Sequence, residues 1–339
     1  MKITIDGGGL CVPTYKRYGN YVFTVNLTQA VSKYDTENSY YVYSFCNRPS
    51  SLYLHSNSFY RILTPKFLWM KLRVSVEESI VPKDIFLALN QALPLFTRSR
   101  IMGFSHGLSF MYYPGYYKDS YQRMRKQVES LVNRAEHIFV SSQRVKDEMT
   151  ELFPRSQSKL TVALYGMPFD MMEHKERVRQ NYFVFSGMNH PIKNIKFLVD
   201  AFLKFSSKKE YKGYRLFLIG TFAGYKKRSK QIQTFAQLSR PEILEILRKA
   251  RGYVTTSLYE SFNIPVLEAL SQGCEVVGMD TAIIPELKPY VFNAYSEDEF
   301  IDMLERVASG ERKKKVKPAL QDVFSWKEYV SKLQAVYNK

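Results

Sequence analysis

Two glutamates stand eight residues apart, Glu260 and Glu268, in the stretch TTSLYESFNIPVLEALSQGCEVVGMD. Glu260 follows the strand-like run GYVTTSL, and Pro265 sits where a proline fits the first turn of a helix. Glu268 comes about one turn later, on the helix face of Ile264. Amides at the start of a helix have no intrahelical partner and attract anions. A carboxylate on either side of such amides can accept hydrogen bonds from sugar hydroxyls while the amides take phosphate. The spacing suits a nucleotide sugar. Two solvated surface charges are the competing interpretation.

Other chemistry is sparsely represented. No D-x-D is present to hold a divalent cation on a diphosphate, and no histidine pair has metal-ligand spacing. A bound metal is therefore not expected. The acidic run SEDEF (296–300) heads a late helix, where acids favour the N-terminus. The run DGGGL (6–10) could cradle a phosphate or be a plain turn, because it lacks the rest of a G-x-G-x-x-G context.

The chain has 339 residues, enough for two domains that each bury a core, with 45% hydrophobic and 24% charged residues. Lysine and arginine number 49 against 32 acids, a net charge of +17. Such a charge attracts phosphorylated ligands or acidic lipid. The basic residues are dispersed, apart from the run ERKKKVK at 311–317, so nucleic acid is not an expected partner. Cys11, Cys46 and Cys274 have no metal spacing and read as free thiols of a reducing compartment. No run reaches the roughly 18 apolar residues of a membrane span, and the chain opens directly in a strand pattern. The cytoplasm is the expected setting.

The elements that must position the glutamates alternate strand and helix. In the second half YFVFSG, YRLFLIG, GYVTTSL and EVVGM read as strands. Between them lie a helix from Asn194, a helix at SRPEILEILRKA with a capping-box start, and a helix at IPVLEALSQG closed by Gly273. In the first half ITID, SYYVYSF, RIMGFS and HIFVSS read as strands, with helical patterns over YVFTVNLTQAVSKY and 121–134. Apolar strands alternating with amphipathic helices imply a parallel sheet covered on both faces. The pattern lapses between Tyr165 and Gln180, where the domain boundary is placed. The segment YRILTPKFLWMKLRV (60–74) mixes basic and apolar residues and could lie on an acidic membrane. Because Pro65 interrupts any long helix there, packing against the first domain is preferred.

The segment LYESFNIPVLEALSQGCEVV resembles the E-x7-E signature of the retaining glycosyltransferases of family 4, which have the GT-B fold. FSGMNHPIKNIKFLVDAF is similar to that family's strand, loop, lysine and helix. ITIDGGGL with RYGNY is similar to its first strand and glycine loop, and FSHGLSF followed by AEHIFVSSQRVKDEM to its histidine loop. FSWKEYVSKLQAVY resembles its closing helix. The likeness covers nearly the whole chain.

The resemblance implies an α/β GT-B architecture of two doubly wound, Rossmann-like domains facing across a cleft. These would be an acceptor domain over 1–168, with a helix at 322–339 crossing back to it, and a donor domain over 169–321. It further implies sugar transfer from a nucleotide diphosphate sugar to a glycan or lipid-linked acceptor, with retention and without a cofactor. Glu268 would hold the donor ribose and Glu260 the transferred sugar. Lys193 would neutralise the leaving diphosphate. Gly19, Gly187 and the backbone of Ser261, Phe262, Asn263 and Ile264 would approach the donor, and Leu238 would offer its backbone to the base. His106 would face the sugar through its ring or backbone. Ile192 and Met188 stand where the family commonly has an arginine, Gly107 where an acid often follows the histidine, and Ser261 and Asn263 where the turn has glycines. In the glycine loop Gly19 is kept, while the earlier position is Arg17. A nucleotide-sugar epimerase of the same fold, or a degenerate, non-catalytic protein that binds sugar nucleotides or nucleic acid, are the alternatives.

Overall fold

In the computed structural model, residues 1–13, 17, 19–170, 178–313 and 318–338 are described. The run at 311–317 thus lies partly outside the described residues, as does much of the 165–180 boundary segment. The chain divides into two units, Met1–Gly166 with Val323–Lys339, and Met167–Asp322.

Among the described residues the first unit is built on seven strands: β1 (Lys2–Asp6), β2 (Ser39–Ser44), β3 (Ser58–Ile62), β4 (Ile85–Ala88), β5 (Arg100–Ser105), β6 (His137–Val140) and β7 (Leu160–Val162). All pair in parallel in the order β3-β2-β1-β4-β5-β6-β7. Ile5 lies between Val42 and Leu87 at the centre of this sheet. The second unit has six among the described residues: β8 (Gln180–Ser186), β9 (Arg215–Ile219), β10 (Ile232–Phe235), β11 (Ala250–Thr255), β12 (Glu275–Met279) and β13 (Phe292–Ala294). These too are all parallel, in the order β10-β9-β8-β11-β12-β13. Each sheet therefore winds outward in two directions from a central pair, β1/β4 and β8/β11. At that reversal neighbouring connections part and leave a crevice beyond the strand ends.

The expected strands are present, and β3, β4, β7, β10 and β13 join them. All five are three to five residues long. Runs that short cannot be assigned from period alone. The helix expected from Asn194 spans Ile195–Ser207, because Asn194 itself is left-handed at φ 50°. The Ser239 capping box forms as expected, with Glu242 accepting from the Ser239 N–H at 2.7 Å.

The closing helix, Trp326–Tyr337, buries Trp326, Tyr329, Val330, Leu333 and Tyr337 in the first unit. Trp326 stacks on Tyr165 at 6.3 Å between ring centroids. Gly166 permits this approach, since a Cβ there would lie 2.3 Å from the Trp326 backbone nitrogen. One expectation is corrected: Cys11 and Cys46 are not free thiols but a disulfide, with Cα atoms 5.5 Å apart. The turn after β1 and the end of β2 bring them together across a separation of 35 residues that spacing alone does not link. Cys274 is free and buried. Among the described residues no helix is long and apolar enough to cross a membrane.

Candidate active site

Gly187, Lys193, Glu260, Ser261–Ile264 and Glu268, expected to hold a donor, gather where the second sheet reverses. β8 ends at Ser186 and is followed by Gly187, whose N–H donates to Ile219 at 3.0 Å. The chain then makes a tight turn over Pro191–Lys193, with the His190 ring accepting from the Ile192 N–H. β11 ends next door at Thr255, and its continuation is tied to that turn. The Leu258 N–H donates to the Ile192 carbonyl at 2.8 Å, and Thr256 Oγ1 donates to the Lys193 and Asn194 carbonyls. Two loops far apart in sequence become one platform.

On that platform Lys193 Nζ meets Glu260 Oε1 at 2.5 Å, and Ser257 Oγ donates to the same oxygen at 2.7 Å. Both ionic side chains remain partly accessible, 20% for Lys193 and 13% for Glu260. Sequence reasoning gave the two residues separate tasks; the structure joins them in one ion pair. An ionised carboxylate can accept from several donors at once, so this pairing does not exhaust Glu260.

The turn Ser261–Ile264 follows. Asn263 is left-handed at φ 69°, the conformation that glycine usually supplies, and asparagine tolerates it better than most residues. Its side chain is buried and donates to the Ala282 carbonyl at 3.1 Å and to Thr255 Oγ1 at 3.3 Å. Phe262 is buried beneath the turn. Asn263 thus holds this left-handed position with two hydrogen bonds that glycine could not make.

Glu268 lies on the helix Ile264–Ser271 and is buried. Its Oε1 is 2.8 Å from Nη2 of Arg240, the first residue of the helix Arg240–Lys249. The same guanidinium meets Asp170 through Nε at 2.6 Å and Nη2 at 3.1 Å. Burial pushes the Glu268 carboxyl up, and Arg240 pulls it back. Burial also opposes the Arg240 charge, but Glu268 and Asp170 outweigh it and hold Arg240 above its ordinary value. Leu238 is half-buried in the loop between β10 and that helix. Sequence reasoning missed Arg240, Asp170 and Ser257. The capping-box stretch SRPE marked the helix start, but nothing in it pointed to Glu268 as a partner.

Gly19 and His106 belong to the first unit. Gly19 is exposed at the start of the helix Gly19–Tyr34. His106 follows β5, with Nε2 2.6 Å from the Leu89 carbonyl and Nδ1 2.6 Å from the Tyr165 hydroxyl. A carbonyl only accepts, so Nε2 carries the proton and Nδ1 accepts from Tyr165. The ring N–H is therefore committed, and only the backbone of His106 is left to serve a ligand. Burial pushes the ring down from 6.5 to about 4.

A neutral His106 contributes stability that is complete above 6.5 and is lost as pH falls through about 4, because the unfolded chain binds the proton first. Denaturation midpoints measured across this window should show a steeper acid loss in the native chain than in His106→Gln. Identical profiles would remove His106 from the account.

Three comparisons bear on this site. Residues 180–309 match the sequence model of the family described as glycosyl transferases group 1. The chain is 25% identical over 234 residues to the O-antigen chain mannosyltransferase RfbU of Salmonella typhimurium, covering 65% of this chain and 62% of that protein. It is 25% identical over 240 residues to the MMP alpha-(1->4)-mannosyltransferase of Mycolicibacterium hassiacum, covering 64% and 56%. The chain thus spans about three-fifths of the length of these curated relatives. Among solved structures, sucrose-phosphate synthase from Thermosynechococcus elongatus matches with a TM-score of 0.75 at 12% identity, over 99% of this chain and 98% of that one. Anabaena HepE in complex with UDP and glucose matches with a TM-score of 0.72 at 13% identity, over 100% and 99%. These structural likenesses show the fold, which is the GT-B fold of two Rossmann-like units.

Proposed function

We propose that this chain, whose residues 180–309 match the group 1 glycosyl transferase model, moves a sugar from a nucleoside diphosphate donor to a glycan or lipid-linked acceptor with retention at the anomeric carbon. One observation carries the proposal. Both signature glutamates lie at the β8/β11 reversal, each held by a cation, Glu260 by Lys193 and Glu268 by Arg240.

Glu268, fixed by Arg240, would accept from the ribose hydroxyls. Glu260 would accept from the transferred sugar. Lys193 lies between that carboxylate and the start of the helix Ile195–Ser207, where it can turn to the diphosphate as negative charge develops on the leaving group. The backbone of Gly187 and of Ser261, Phe262, Asn263 and Ile264 would line the donor, and the Leu238 backbone would meet the base. Gly19 and His106 are proposed to act on the same donor, His106 through its backbone. A lipid-linked acceptor would place the reaction at a membrane surface.

The chemistry needs no cofactor in this proposal, with Lys193 and helix N-termini taking the place of a divalent ion. Turnover should be unchanged by a chelator, and activity abolished by the chelator and restored by Mg²⁺ or Mn²⁺ would overturn that part. The donor is found by thermal shift across UDP-, GDP-, ADP- and TDP-sugars. A donor at about a hundred times its Kd stabilises the native chain by about 2.7 kcal/mol. A raised melting temperature with one class, followed by transfer or slow hydrolysis of that donor, is the expected result. No shift with any of them, and no donor consumption, would sink the transferase assignment.

A further inference from the structure

A helix on a domain surface ordinarily turns its charges outward and its apolar stripe inward. The helical segment Trp69–Arg73 and Val74–Ile80 of the first unit buries Trp69 and Val74 but also turns its acids inward and a second apolar row outward. Its acids, Glu77 and Glu78, are buried. Glu77 pairs with Arg61 at 2.7 Å and Arg73 at 3.0 Å. Glu78 accepts hydrogen bonds from Thr4 at 2.8 Å, Thr97 at 3.0 Å and Ser99 at 2.5 Å. Outward stand Leu68, Leu72, Val76 and Ile80, between 44% and 73% exposed. Their four-residue spacing lines them along one face. Phe67 extends the stripe at one end, 75% exposed. Leu95 and Phe96, also exposed, stand beside it, their N–H groups donating to Ser75 Oγ at 2.8 Å and 3.4 Å. Single exposed apolar side chains are ordinary, but a contiguous row is not.

The charges decide what covers this face. Within residues 65–81 and 92–98 the exposed charged side chains are Lys66, Lys71 and Arg98, all basic. Every acid of the segment has been withdrawn inward. The face is complementary to an anionic apolar surface, and a second copy would set the same basic rim against itself. We propose that this face seats the first unit on a bilayer carrying anionic lipid. The stripe Leu68, Leu72, Val76 and Ile80 would enter the acyl boundary, and Lys66, Lys71 and Arg98 would meet headgroup phosphates. This deepens the proposed function by naming where a lipid-linked acceptor would be met. Its test uses neither donor nor acceptor, so it can fail while the transferase assignment stands.

The whole chain is sedimented at low salt with vesicles of phosphatidylcholine alone and of equal parts phosphatidylcholine and phosphatidylglycerol. At least about tenfold stronger binding to the anionic vesicles is expected. Leu72→Ser combined with Val76→Ser should weaken that binding about tenfold without moving the melting temperature, since both side chains face outward. Lys66→Glu combined with Lys71→Glu should abolish the preference for anionic lipid. Equal binding to both vesicle types, or native binding by the serine variant, would overturn the proposal. Self-association that the serine variant removes, without vesicle binding, would instead assign the face to a second copy and overturn it as well.

Discussion

Replacing Lys193 by methionine should lower kcat/KM by at least about a hundredfold, or about 3 kcal/mol of transition-state stabilisation. Methionine keeps much of the length and removes the charge, so the loss reports electrostatics rather than reach. The expectation rests on how cations are distributed over the platform. Lys193 is on Glu260, while Arg240 is already shared between Glu268 and Asp170. Places where the resembling family has an arginine hold Met188, which is exposed, and Ile192, which is buried. Losing Lys193 also strips a mostly buried carboxylate of its cation, so the melting temperature should fall modestly. The two effects separate in the kinetics: kcat falls more than KM rises if the charge acts on the developing leaving group. Met188→Arg, placed on the Lys193→Met background, should restore part of the rate. Near-native kcat/KM in Lys193→Met would assign the diphosphate to another cation, with Arg240 the first to examine.

The second large effect is expected at Arg240, as a loss of stability. Arg240→Leu leaves Glu268 buried without its cation, and an unpaired buried charge costs about 3–5 kcal/mol when both partners are enclosed. Glu268 is 7% exposed and Arg240 31%, so solvent screens part of the loss and about 2–3 kcal/mol is the expected size. Glu268→Gln should cost less, because Arg240 keeps Asp170. Donor affinity should order the variants the other way: Glu268→Gln removes the group proposed to meet the ribose, at about 1.5–3 kcal/mol. Chemical denaturation and isothermal titration on both single variants and the double variant close the cycle. A small and additive stability loss for Arg240→Leu would show that the pair is not coupled and that Glu268 is held by its helix alone.

Much of the fold was legible because its signals are local. YFVFSG and GYVTTSL form the central pair of the second parallel sheet, and RIMGFS forms an interior strand of the first. The helices at 121–134 and 240–249 announced themselves by period, the second also by its capping box. Where the strand is very short, as in the three residues of β13, period alone does not identify it. The segment 60–74 also misled in part. Its apolar residues were expected to pack inward, and Leu63, Trp69 and Val74 do, but Leu68 and Leu72 face out while the neighbouring glutamates go in. Hydropathy cannot foresee that inversion, because burial of Glu77 and Glu78 depends on Arg61, Thr4, Thr97 and Ser99, which arrive from other strands and loops.

By itself the sequence determined the alternation of strand and helix, the glutamate pair around one strand-to-helix turn, and the lysine at the start of another helix. These follow from side-chain period, proline and capping chemistry, which act over a few residues. Only the tertiary structure decided the partners: Lys193 on Glu260 across 67 positions, Cys11 on Cys46 across 35, and Arg240 bridging Glu268 and Asp170. The reason is the parallel sheet. Each crossover sends the chain over the sheet before the next strand is laid down, so residues that meet at the strand ends are separated by whole elements. Strand order alone decides which ends become neighbours, and strand order is not written in any single stretch.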